Sequence, residues 1–277
     1  SKDARTIYKK IIEAADSNQI KIEATTALMK LKVKESDQSQ LAEIESDYES
    51  YLERFGINQD TEKMQQDYAR FLAFQLKKID KAKQMISDLL DKNLYRFSEG
   101  RAKILLADML VLEESFNQAL IYYSQVEKLL PNNKIGQKAK FKVAKTSYYK
   151  GDFKWAVTQL DVLKKATSQL IANDALELAL HIKDNGLRDS TQTALQQVAQ
   201  ADLKLFQNKT VSAEKQLAET LTAFPDHEII DEVHFRLAEI YLQQGKNQQA
   251  VDALKKIINN YPDSILIDNA YFKLAEI

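Results

Sequence analysis

Apolar residues recur along this chain at helical spacing, and the stretch from Asp231 to Pro262 shows the pattern most plainly. His234, Leu237, Ala238 and Tyr241 fall at i, i+3, i+4 and i+7, one face of a helix of 3.6-residue period. Ala250, Leu254 and Ile257 mark one face of a second helix. Gly245 lies between them, where a turn needs a residue tolerant of positive φ. Pro262 stands just past the second helix, where its missing N–H costs nothing. The spacing predicts two antiparallel helices, brought close by the small side chains of Ala238 and Ala250. A single hairpin cannot bury both apolar faces, so it requires neighbours of its own kind.

Those neighbours lie at a fixed period. Pro225 precedes Pro262 by 37 residues, and Ala213 precedes Ala250 by the same 37. Leu217 then matches Leu254, and Ala201 matches Ala238. Ala119 and Ala156 are again 37 apart, and with Ala119 set on Ala250, Leu106, Ala107, Val126 and Pro131 fall on Leu237, Ala238, Ile257 and Pro262. Ala82, with Ala69, Ile86 and Leu89, marks a further unit, and Leu28, Leu31, Tyr48, Tyr51 and Gly56 a poorer one. Gly151 and Gly245 share the phase of the inter-helix turn. The predicted repeat core is thus Leu106, Ala107, Ala119, Ala156, Ala201, Ala213, Leu237, Ala238, Tyr241, Ala250, Leu254 and Ile257.

The step breaks once. From Ala156 to Ala213 is 57 residues, one period and about one helix more. The surplus is assigned to 168–184, a helix apolar over a wide arc that predicts contacts on more than one side. Asp189 with Gln192 then reads as a capping box, and a change of direction is expected around 185–191. Helical repeats are therefore expected over 1–167, an irregular helix and break over 168–191, and further repeats over 192–277. By phase, the chain opens in mid-hairpin and stops before a second helix, as a piece of a longer protein would.

These positions resemble the tetratricopeptide repeat, with His234 at the family's usual tryptophan and Ala238 at its usual glycine. The period exceeds the family's ~34 residues. Asp226 and Asp263-Ser264, after their prolines, look like N-caps of first helices lengthened at their starts. The longer period is similar to repeats of bacterial periplasmic and outer-membrane-associated proteins. The resemblance implies an all-α, right-handed superhelical solenoid of antiparallel hairpins. It also implies a non-catalytic interaction scaffold that binds a protein or peptide segment on its concave face. A role in bacterial envelope assembly, in the periplasm or at the outer membrane, follows as the expectation, with the cytoplasm as the alternative compartment. Carrying the phase across, the expected partner-binding positions are Asp67, Phe71, Phe74, Arg101, Asp108, Lys138, Phe141, Lys145, Tyr148 and Tyr149. Packing between neighbouring hairpins is the competing role for these aromatics.

Composition narrows the alternatives. With 39 basic and 40 acidic residues the net charge is −1, which gives no footing for nucleic acid. No apolar run is long enough to span a membrane, so direct insertion is not expected. Cysteine is absent, which removes disulfides and thiolate metal sites. The three histidines, His181, His227 and His234, do not make a metal-ligand set, although the last two could share a helix face. Glu113-Glu114 and Asp231-Glu232 read as solvated charge. No glycine-rich phosphate loop occurs, and Asn208-Lys209-Thr210 is a sequon in form only. No cofactor, metal or catalytic residue is expected, and the other reading of function is a sensor or adaptor segment of a larger protein.

Overall fold

The computed structural model describes residues 2–164, 169–186 and 191–277, and these residues are helical with no strand among them. The helices are α1 (Lys2–Ala14), α2 (Asn18–Glu35), α3 (Leu41–Phe55), α4 (Glu62–Phe74), α5 (Ile79–Leu90), α6 (Arg96–Leu112), α7 (Phe116–Leu129) and α8 (Lys134–Lys150). They continue with α9 (Phe153–Leu163), α10 (Gln169–Gly186), α11 (Thr193–Phe206), α12 (Thr210–Ala223), α13 (Ile230–Gln243), α14 (Asn247–Asn260) and α15 (Ile267–Glu276). The chain divides into two compact units, 1–140 and 141–277, and the division falls inside α8. The fold is an all-α array of helix hairpins.

In the first unit, α4 pairs with α5 and α6 with α7, while α2 packs on α1, α3 and α4. Burial on several sides explains why α2 lacks a clean apolar stripe. One core runs through the unit, and Tyr48 stacks on Tyr68 with ring centroids 4.9 Å apart. The second helix expected after Ser36-Asp37 is preceded by a short 3-10 turn, Gln38–Gln40, capped by Asp37 and Gln40 reciprocally.

In the second unit, α11 pairs with α12 and α13 with α14. Ala238, Ala250, Leu254, Ile257 and Ala270 form a common core there, with Phe235 and Tyr241 packed against it. The extra helix α10 lies on α9 and touches α11. Its wide apolar arc is covered only in part: Ala175, Ala179 and Ile182 are buried, whereas Leu170, Leu176 and Leu180 are exposed. The proposed Asp189 cap lies outside the described residues.

Two repeat features have a local cause. Lys77, Glu114, Gly151, Asn208 and Gly245 occupy one phase, and all five have positive φ, between 57° and 86°. After four of them the next N–H, on Ser115, Asp152, Lys209 or Lys246, reaches back five residues to a helix carbonyl. This is the 6→1 bond of a left-handed helix ending. The alanines four residues beyond, Ala119, Ala156, Ala213 and Ala250, are fully buried.

The second feature is the turn after each proline, and it corrects the expected helix extension. The first helices start at Ile230 and Ile267, not at Asp226 or Asp263, so the added residues go into non-helical turns. Two residues past each proline a side chain accepts the N–H two positions on. Asn133 bonds to Ile135 at 2.8 Å, His227 Nδ1 to Ile229 at 3.1 Å and Ser264 to Leu266 at 3.1 Å. A side-chain acceptor at this spacing holds a turn against helix. His227 is thus a turn residue and shares no helix face with His234.

Candidate functional site: a groove beside the extra helix

The expected binding positions of the first unit divide by burial. Phe71 is buried, with its ring 5.8 Å from that of Tyr48, so it packs between helices and offers nothing to a partner. Asp108 is buried too, accepting the Tyr123 hydroxyl at 2.6 Å, with Arg70 at 3.8 Å. Asp67 is half-buried with Lys30 at 3.3 Å, and burial pushes its carboxyl above the ordinary value. Phe74 is half-buried beneath the Arg70 guanidinium, 5.6 Å from its ring. Arg101 and Lys138 are exposed, Arg101 lying 3.9 Å from Glu62.

The second unit contains a groove of about 520 Å³, lined from four helices, within the usual range for ligand sites. From α8 come Phe141, Lys145, Tyr148 and Tyr149. From α11 come Asp202, Leu205 and Phe206, and from α13 Phe235, Arg236 and Glu239. These are inward positions of first helices, one turn apart along each. The fourth wall is α10, with Asp174, Glu177, Leu178 and His181.

Beneath the groove lies a chain of polar contacts. The Tyr148 hydroxyl donates to Asp202 Oδ2 at 2.8 Å and lies 3.1 Å from His181 Nε2. Arg236 spans two carboxylates, donating to Asp202 at 2.8 Å and to Glu232 at 2.6 Å. His181 Nδ1 lies 3.0 Å from Glu232 Oε1, which ties α10 to α13. Burial raises the Asp202 and Glu232 carboxyls, but Arg236 and His181 outweigh it and both end below their ordinary values. Burial opposes the charge on Arg236 as well, and the two carboxylates reverse that. Burial, aided by Asp202, raises the Tyr148 hydroxyl far above its usual value. The group is a paired network, and each member would be costly to leave alone.

Tyr148 is 0 % exposed, and Tyr149 is buried against Phe206 with ring centroids 6.1 Å apart. Both were expected on the binding surface, and both are structural here. Phe141, Lys145 and Phe235 are half-buried, as are Leu205 and Phe206, while Glu239 is exposed. Lys145 lies 6.0 Å from the Tyr149 ring and has no ion pair among the described residues, and burial holds its ammonium below the ordinary lysine value. Glu232, expected to be solvated, is buried because His181 and Arg236 converge on it. The sequence reading did not single out Arg236. Its i,i+4 relation to Glu232 was the available signal. His234 is buried at the family's aromatic position, and burial takes its pKa down to about 4.

Among the described residues, no group of three or more histidine, cysteine, aspartate or glutamate side chains is placed to hold a metal ion. No helix among the described residues is long and apolar enough to cross a membrane.

Against known proteins, the sequence model of the tetratricopeptide repeat matches residues 232–264. No curated protein matches the chain in sequence. A Rap protein complexed with competence and sporulation factor is similar in fold, with a TM-score of 0.55 at 15 % identity over 99 % of this chain and 72 % of that one. A tetratricopeptide repeat protein from Parabacteroides merdae gives a TM-score of 0.44 at 15 % identity, over 90 % and 96 % of the two chains. The tetratricopeptide domain of P58(IPK) gives 0.33 at 15 % identity, over 92 % and 79 %.

Proposed function

We propose that this chain, which matches the tetratricopeptide repeat over residues 232–264, is a non-catalytic scaffold that takes a segment of a partner protein in the groove between α8, α10, α11 and α13. The observation that carries this reading is the groove's lining. Phe141, Leu205 and Phe235 offer part-exposed apolar area, and charged side chains flank them. Apolar anchors ringed by charge suit the capture of an extended or helical segment. A related fold, the Rap protein, is seen in complex with competence and sporulation factor, which lends support to a binding role. Work at the bacterial envelope is part of the proposal and rests on the length of the repeat period; cell fractionation of the native protein tests it.

The functional test is a pull-down from native extract followed by affinity measurement on the partner recovered. Phe141→Ala with Phe235→Ala is expected to weaken binding at least tenfold with the helical signal intact. Lys255→Ala with Lys256→Ala alters two exposed lysines of α14 outside the groove and is expected to leave binding unchanged. Full binding by the first pair, or loss only with the second, would move the docking surface elsewhere.

A further inference from the structure

The groove is chemically one-sided. Five carboxylates line it, Asp174, Glu177, Asp202, Glu232 and Glu239, against two bases, Lys145 and Arg236. Arg236 is taken up by Asp202 and Glu232. Asp174, Glu177 and Glu239 have no ion-pair partner among the described residues. Burial pushes the Glu239 carboxyl up, Arg236 and Lys273 oppose the shift, and Asp202 and Glu177 on the facing helices add a smaller repulsion. Acidic groups that outnumber the bases of one groove leave it with a net negative charge, and a cation placed among them is attracted there. The surface around them is apolar: Phe141, Leu178, Leu205 and Phe235.

We propose that the groove selects a linear peptide segment in which a Lys or Arg stands between apolar side chains, and that α10 sets this preference. The inference rests on the docking site proposed above. The cationic side chain enters between Glu177 and Glu239, and its apolar neighbours lie on Phe141 and Phe235. The regular first helices contribute Glu239 alone to the unpaired acids; Asp174 and Glu177 both come from the helix that breaks the repeat. One helix added to the array thus turns a general inner surface into a charge-selective one. The contacts of His181 with Tyr148 and Glu232 hold that helix in place. Lys145, inside the same groove, disfavours a segment made only of positive charge and favours an acidic group or a backbone carbonyl at its own end.

A positional-scanning library of blocked hexapeptides, read by fluorescence anisotropy against the full chain, tests this. The expected result is enrichment of Lys or Arg beside Leu, Ile or Phe, in binding that Phe141→Ala removes. Replacing the cation of the best peptide by Glu is expected to weaken it at least tenfold. Glu177→Gln with Glu239→Gln is expected to erase most of that discrimination while leaving the chain as stable as before or more so, since a repulsion is relieved. Binding that depends on Phe141 but prefers Asp or Glu, or that ignores charge, would overturn the selectivity and leave the groove as the docking site. Peptide binding indifferent to Phe141→Ala would overturn the groove itself. Spermidine displacing the best peptide at equal concentration would show that a bare cation suffices and would overturn the peptide assignment.

Discussion

His234 gives the sharpest physical test of the array. It occupies the family's large aromatic position in α13, is 7 % exposed, and is kept neutral chiefly by burial, with Lys256 adding repulsion. Its folded pKa is about 4, against about 6.5 for an unfolded histidine. Because the folded value is the lower, the unfolded chain binds the extra proton between these limits. Stability from this site is complete above pH ~6.5 and declines as pH falls toward 4. Between pH 7.5 and 4.5 the linkage amounts to about 2.5 kcal/mol. His234→Phe keeps a ring of similar size and removes the proton site. Urea unfolding of both proteins at the two pH values, followed by circular dichroism, yields a difference of differences. Asp202 and Glu232, whose lowered pKa values cost stability only below about pH 4, contribute equally to both proteins. So do Asp67, Asp231 and Glu239, whose raised values cost stability as pH rises through them. The variant should lose about 2 kcal/mol less than the parent on acidification. Equal losses would mean that His234 charges freely in the folded chain, and the packing assigned to this repeat position would be wrong.

Other perturbations address separate parts of the fold. Gly245 has φ +72° and open space where a Cβ would stand, so Gly245→Ala isolates the backbone cost of a left-handed residue, about 1 kcal/mol by thermal denaturation. Glu114→Gly, at the same phase with φ 60°, should cost nothing or stabilise slightly. Ala250→Leu overpacks a fully buried contact and should cost about 1–3 kcal/mol in the denaturation midpoint; an unchanged midpoint would refute the repeat phase. Arg236→Ala strands Asp202 and Glu232 together and should cost about 3–5 kcal/mol, with hydrogen-exchange protection falling first in α10, α11 and α13.

How much was legible in the sequence follows from the range of the forces involved. Helix spans, the 37-residue step, the buried alanines and the surplus helix all rest on interactions within one hairpin or between adjacent ones. Such interactions impose a period, and a period can be read from one chain. The turn chemistry was half legible. Gly151 and Gly245 announced a positive φ, but Lys77, Glu114 and Asn208 adopt it without glycine because the flanking hairpin holds them there. The prolines marked the ends of second helices, yet the acceptors two residues on, three different residue types at one phase, showed only in the bonds they make.

The site itself depended on the tertiary structure. Repeat phase brought Phe141, Lys145 and Tyr148 to inward positions, but phase is blind to depth, and Tyr148 went under the groove instead of onto its surface. Asp202 meets Arg236 across 34 residues, and His181 meets Tyr148 across 33. The first joins α11 to α13; the second requires α10 to be seated on its neighbours, a position that no period prescribes because α10 lies outside the repeat. A hydrophobic pattern records which face of a helix leaves water. Which charges then meet, and whether a carboxylate is paired beneath a groove or left unpaired along its wall, is decided by packing between elements far apart in the chain, where Coulomb energy depends on distances the pattern does not encode.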